Sequence, residues 1–132
     1  MKKVITVAIF MVLTLSIEAR TFAEAKAICE KGDAKMCMVL GDEMKKSNPK
    51  EANKYYAKGL KMVKKSCSKK NADACFSLAS FYAFGKGVKK NEKKAVSTWK
   101  KALSLYEKSC KKGDSHSCNQ AEHSQAMIEM AQ

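Results

Sequence analysis

Arginine is almost missing from this chain: Arg20 stands alone against 25 lysines. Arginine's planar fork suits bidentate recognition of phosphates and carboxylates, whereas lysine is a hydrated point charge. The net charge of +13 therefore implies attraction to acidic partners in general, such as anionic lipid headgroups, acidic glycans or acidic proteins. No module that interleaves aromatic and basic residues for nucleic acid is present. No apolar run reaches the ~20 residues of a membrane-spanning helix. No C-x-x-C occurs, which sets aside thioredoxin-type redox chemistry. No cysteines lie close enough in sequence for a zinc cluster. Alternating strand patterns are also absent, so the chain reads as all-α.

What is present begins with a leader. Lys2 and Lys3 precede an apolar run from Val4 to Leu15, and small residues follow at Ser16 and Ala19. This is the pattern of a secretory signal, with cleavage expected after Ala19, or alternatively after Ala23. An uncleaved N-terminal anchor is the competing reading. The position after the run holds no cysteine for lipid attachment. Removing residues 1–19 takes away two lysines and Glu18, leaving a domain of residues 20–132 at net charge +12. Export to an oxidising space agrees with an even cysteine count. It also argues against nucleic acid as a partner.

The six cysteines fall as three pairs with one spacing: Cys29 and Cys37, Cys67 and Cys75, Cys110 and Cys118. Along one straight helix such residues stand roughly 12 Å apart, too far for a disulfide, whose Cα atoms are about 5.5–6 Å apart. An oxidised pair therefore requires the chain to reverse between its members. The pattern reads as three helix-to-helix corners, each fastened across its turn. Each bridge would close a ring of about nine residues, worth roughly 2.5 kcal/mol. Within the corners, Gly32 and Gly113 suit a left-handed helix stop. Asp33, Asn71 and Asp114 suit the N-cap of the next helix.

The helices around the corners repeat as well. Ala52, Tyr55, Tyr56, Gly59, Leu60, Val63 and Cys67 form one stripe of helical period. Ala95, Thr98, Trp99, Ala102, Leu103, Tyr106 and Cys110 repeat it 43 residues later. Lysines cover the opposite side, among them Lys54, Lys58, Lys61 and Lys65, then Lys94, Lys100, Lys101 and Lys108. Pro49, after Ser47 and Asn48, fits a first helical turn. Cys37, Leu40, Gly41 and Met44 match Cys75, Leu78, Ala79 and Tyr82 at an offset of 38. The small residues at 41 and 79 predict close approach of a neighbouring helix. The third copy carries Ala121, Glu122 and Gln125 instead, as a polar capping helix should. Helices are expected over 21–31, 34–46, 50–69, 72–84, 91–112 and 115–130.

The stretch Cys75-Phe-Ser-Leu78-Ala79-Ser-Phe-Tyr82, with Gly85-Lys-Gly87-Val88-Lys-Lys-Asn91, Lys94-Ala95 and Lys108-Ser-Cys110-Lys-Lys-Gly113-Asp114, resembles a Sel-like repeat. More specifically, it resembles the secreted cysteine-rich branch of that tetratricopeptide-related family, first named from Helicobacter. The resemblance covers nearly all of 29–118. It implies an α/α solenoid, a right-handed superhelix of helix-turn-helix units with each cysteine pair bridged. Here that means two full repeats plus flanking helices. Two departures stand out. The first unit lacks the G-x-G-V loop, and both second helices are about seven residues longer than usual, close to two full turns.

The resemblance also raises chemistry, since some relatives are described as β-lactamases or penicillin binders. The S-x-x-K string of that chemistry occurs at Ser47–Lys50, Ser66–Lys69, Ser97–Lys100 and Ser109–Lys112. A chain with 12 serines and 25 lysines meets this string by chance. No S-D-N or K-T-G accompanies it, and no oxyanion hole is evident. No catalytic, cofactor or metal-binding residue is therefore assigned. His116 and His123 read as polar residues of the capping helix. Met127 and Met130 read as one amphipathic face. Most aromatics lie on the packed stripe. The residues proposed to line a binding groove are Tyr55, Phe84, Lys58 and Lys101, with Phe84 expected to be partly exposed. The expected product is a monomeric, non-catalytic scaffold, periplasmic or secreted, that binds a protein or an anionic surface molecule. A β-lactam hydrolase is the alternative.

Overall fold

The computed structural model describes residues 21–132; the expected signal segment 1–19 lies outside them. Among the described residues six helices succeed one another: α1 (21–30), α2 (Ala34–Met44), α3 (Pro49–Ser68), α4 (Ala72–Phe84), α5 (Glu92–Cys110) and α6 (Ser115–Met130). No strand is found among the described residues. Consecutive helices pack as hairpins, α2 on α3, α3 on α4, α4 on α5 and α5 on α6. The result is an α/α solenoid.

Local chemistry sets each boundary. The corners between α1 and α2 and between α5 and α6 place Gly32 (φ +117°) and Gly113 (φ +94°) in the left-handed region. The middle corner holds Lys70 (φ +64°) there. After α5 the Gly113 N–H donates to Cys110 O and the Asp114 N–H to Ser109 O, a Schellman-type stop. Asp33 and Asn71 then cap the next helices, accepting from the Met36 and Ala74 N–H groups. Asp114 holds the third N-cap position, but its carboxylate takes the Ser117 hydroxyl and makes no capping bond to the backbone. Helix α2 stops at Met44, two residues earlier than expected. Pro49 disfavours helical backbone in the residue before it, and Asn48 lies outside the helical region (φ −145°, ψ 79°) while capping α3 through the Glu51 N–H.

Disulfides bridge Cys29–Cys37, Cys67–Cys75 and Cys110–Cys118, with Cα separations of 4.8, 4.6 and 4.7 Å. The chain reverses within each pair, as the spacing demands. The first two bridges are buried, whereas Cys110 and Cys118 are half-buried.

The repeated stripes form the core. Leu60, Val63, Cys67, Ala74, Cys75, Leu78, Phe81, Ala102 and Tyr106 make one continuous cluster joining α3, α4 and α5. A second holds Cys29, Cys37, Leu40 and Tyr55. A third, of Ala79, Ala95, Trp99 and Ile128, seats α6. Gly41 explains the close approach of α2 and α3: a Cβ there would fall inside 3.0 Å of three carbons of the Tyr56 ring.

Candidate functional site

Of the four proposed groove residues, Tyr55 is corrected by its burial. It is only 7% exposed and packs with the first disulfide and Leu40, because its stripe position faces α2. Lys58 and Lys101 occupy equivalent places on α3 and α5, exposed on the side away from the stripe. Phe84 is 61% exposed and is the only one of the four that lines the cleft beside α6.

That cleft, of about 340 Å³, lies where the end of α4, the start of α5 and the end of α6 meet. Ala83 and Phe84 come from α4, Ala95 and Trp99 from α5, and Met127 and Met130 from α6. Met130 is 82% exposed, so two large apolar side chains stand open at one rim. Trp99 forms part of the wall at 2% exposure. Its Nε1–H is buried without an acceptor. Lys90 and Glu92 also line the cleft and pair at 2.9 Å. An adjoining cleft shares Glu92 and Ala131 and adds Lys93, Val96 and Lys100. The rim is therefore apolar with a cationic border, suited to binding an apolar side chain flanked by acidic charge.

The preceding unit is built differently at the equivalent place. Tyr56, the counterpart of Trp99, donates its hydroxyl to Asp42 Oδ1 at 2.6 Å. Lys86 from the Gly85–Val88 loop reaches the same carboxylate and lies over the Tyr56 ring, 5.9 Å from its centroid. Partial burial pushes the Asp42 carboxyl up, but the Lys86 and Tyr56 hydrogen bonds and the Lys86 charge outweigh this and hold it below its ordinary value. Burial and then Asp42 raise the Tyr56 phenol. Tyr106 is raised likewise by burial and by its bond to Asp73. Sequence reasoning missed this cluster. Asp42 and Lys86 are 44 residues apart and nothing local marks them as partners.

The remaining chemical candidates are dispersed. Ser47 and Ser97 donate to the Met44 and Lys94 carbonyls of the adjacent turns. Ser66 borders a shallow cleft with Gly32, Asp33 and Asn71. His116 Nε2 lies 3.7 Å from Asp73 Oδ1, and the His123 ring meets Phe76 at a 45° tilt with centroids 5.0 Å apart. Among the described residues no group of three His, Cys, Asp or Glu could hold a metal ion. Nor is any helix there long and apolar enough to cross a membrane.

The sequence profile of the Sel1 repeat matches residues 30–62, 72–97 and 100–114. Among solved structures, cysteine-rich protein B of Helicobacter pylori aligns at 29% identity and a TM-score of 0.39, over 77% of this chain and 70% of that one. A search of curated proteins gave no match. Since the repeat profile accounts for more than half of its residues, the chain belongs to the Sel1 repeat family.

Proposed function

We propose that this chain is exported by residues 1–19 and works as a domain of residues 20–132, in the periplasm or outside the cell. There it acts as a monomeric, non-catalytic scaffold that binds a protein partner. The observation that carries this reading is the cleft beside α6, where Phe84 and Met130 stand open over Trp99. Exposed aromatic and methionine side chains around a concave apolar wall are the usual anchor of a protein interface. Three disulfides hold the helices that form the frame, so little ordering would be required on binding. The lysine surface adds electrostatic steering towards acidic partners, an effect on association rate that salt weakens.

A photo-reactive phenylalanine at position 84, installed in the exported protein, tests the reading. One discrete adduct is expected there, with none when the same group replaces Lys58 or Lys101. The association rate of the captured partner should fall with salt while its dissociation rate stays constant. Equal labelling at all three positions, or none at any, would count against the cleft as the binding site.

A further inference from the structure

The cleft over Trp99 has a filled counterpart in the preceding unit, and that counterpart indicates what fits it. The two units superpose in sequence at an offset of 43: Ala52 on Ala95, Tyr56 on Trp99, Phe84 on Met127, Gly87 on Met130 and Val88 on Ala131. Burial keeps the same register, since Ala74, Cys75 and Phe81 answer to Ser117, Cys118 and Ser124. All of these are buried except the half-buried Cys118. Tyr56 and Trp99 are both buried to within a few per cent, 4% and 2% exposed.

The two units differ in the path of the chain beyond α4 and beyond the matching turn of α6. After α4 the chain turns out at Gly85 (φ +63°) and lays the next residues against α3. Gly87 touches Tyr56 so closely that a Cβ there would come within 2.9 Å of the Tyr56 Cβ and 3.0 Å of its carbonyl carbon. Lys86 covers the ring, and Val88 packs into the core. Helix α6 does not turn out: it runs on to Met130, past the point equivalent to Gly85. The last turns of α6, through Met127 and Ala131, cover Trp99 itself, and the cleft of about 340 Å³ lies beside them, with no loop of the described residues laid along it as Gly85–Val88 is laid along α3.

The charges have also changed. Asp42, which holds Lys86, has Ser80 as its counterpart at the offset of 38, and the Ser80 hydroxyl donates to the Phe76 carbonyl. Lys90 in the Trp99 cleft is paired with Glu92, and the adjoining cleft, which shares Glu92, adds Lys93 and Lys100.

From this we infer that the cleft is the slot for an extended, glycine-bearing segment of a protein partner. That segment would lie along the cleft beside Trp99 as Gly85–Val88 lies along α3 at Tyr56. It would carry an acidic residue where this chain's own loop carries Lys86. The assignment deepens the protein-binding reading and rests on it. The glycine is required because only a residue without a Cβ can press main chain onto the wall. The acid is required because lysines border the slot.

Trp99 is the only tryptophan, so its fluorescence and its indole N–H resonance report on the slot directly. The peptides Phe-Gly-Glu-Gly-Val and Phe-Gly-Lys-Gly-Val, blocked at both ends, are titrated into the oxidised protein. The acidic peptide should shift the indole signal saturably and bind roughly tenfold more tightly than the lysine peptide. Replacing its second glycine by valine should abolish the shift. Ala83→Phe and Ala131→Phe, made separately at half-buried wall positions, should fill the slot and remove binding while circular dichroism and melting stay unchanged. A flat indole signal with the acidic peptide at millimolar concentration would overturn the assignment. So would equal affinity for the two peptides, or undiminished binding to both filled variants. If a filled variant still forms the adduct at position 84, the slot assignment fails while the scaffold reading stands. If no adduct forms even with the unfilled protein, the scaffold reading itself fails.

Discussion

Gly41→Ala sets local helix preference against packing, and the two predict opposite signs. Gly41 lies within α2. There alanine is favoured over glycine by about 1 kcal/mol, so propensity alone predicts a more stable protein. The added methyl would fall 2.3, 2.5 and 2.8 Å from three carbons of the Tyr56 ring. That ring cannot easily yield. Its hydroxyl is bonded to Asp42, Lys86 covers its face, and the Gly87 main chain presses on its Cβ. Overpacking costs about 1–3 kcal/mol in general, and a ring held at three points belongs at the upper end. The net expectation is a loss of about 2 kcal/mol, or a drop in Tm of about 8 °C or more for a domain of this size. Urea and thermal unfolding of the oxidised protein measure it. Tyr56→Ala removes the obstacle, and in that background Gly41→Ala should stabilise by about 1 kcal/mol. The double-mutant coupling is then about 3 kcal/mol. Stabilisation by Gly41→Ala alone, or a coupling near zero, would refute the close approach of α2 and α3.

The same geometry makes further outcomes testable. Cys110 and Cys118 are half-buried while the other four cysteines are buried. Limited reduction with differential alkylation should therefore label the third pair first; earlier labelling of Cys29 or Cys67 would contradict the burial pattern. The Asp42 carboxyl is held below its ordinary value, so its contribution is present at neutral pH and lost as pH falls through and below the usual carboxylate range, near 4. Because Asp42 is 43% exposed, screening limits that contribution to about 0.5–1 kcal/mol. Asp42→Asn should be less stable than the parent at pH 7, with the gap closing on acidification; a gap that widened instead would reverse the sign argued for the cluster. Nitrocefin should remain unhydrolysed by the oxidised protein, and turnover abolished by Ser→Ala at position 47, 66, 97 or 109 would establish the enzyme alternative.

The corners were legible because their signals are local. Cysteine spacing, a left-handed stop and an N-cap sit within nine residues of each other, and α4 and α6 end where sequence alone placed them. The other ends shifted by one or two residues through neighbouring backbone, as at Asn48 before Pro49 and at the Schellman turn that closes α5. Phe84 was legible as an exposed aromatic because it lies off the packed stripe beside a glycine. Tyr55 was assigned to a groove although its stripe position already marked it as core, and the structure agrees with the stripe. What could not be read was the slot. It depends on α6 continuing as a helix where α4 gives way to a loop, and on Lys86 reaching an aspartate two elements away. Such contacts are set by tertiary register, and no short window of sequence carries them.

Three bridges, each confined to its own corner, pin the repeat array, and the leader is proposed to export it. Mass measurement and peptide mapping of the unreduced protein, collected from outside the cytoplasm, test both most directly. The expected product is a chain starting near residue 20 and six hydrogen masses lighter than its reduced form. Its cysteines should be linked 29 to 37, 67 to 75 and 110 to 118. Free thiols, or bridges joining different corners, would contradict it.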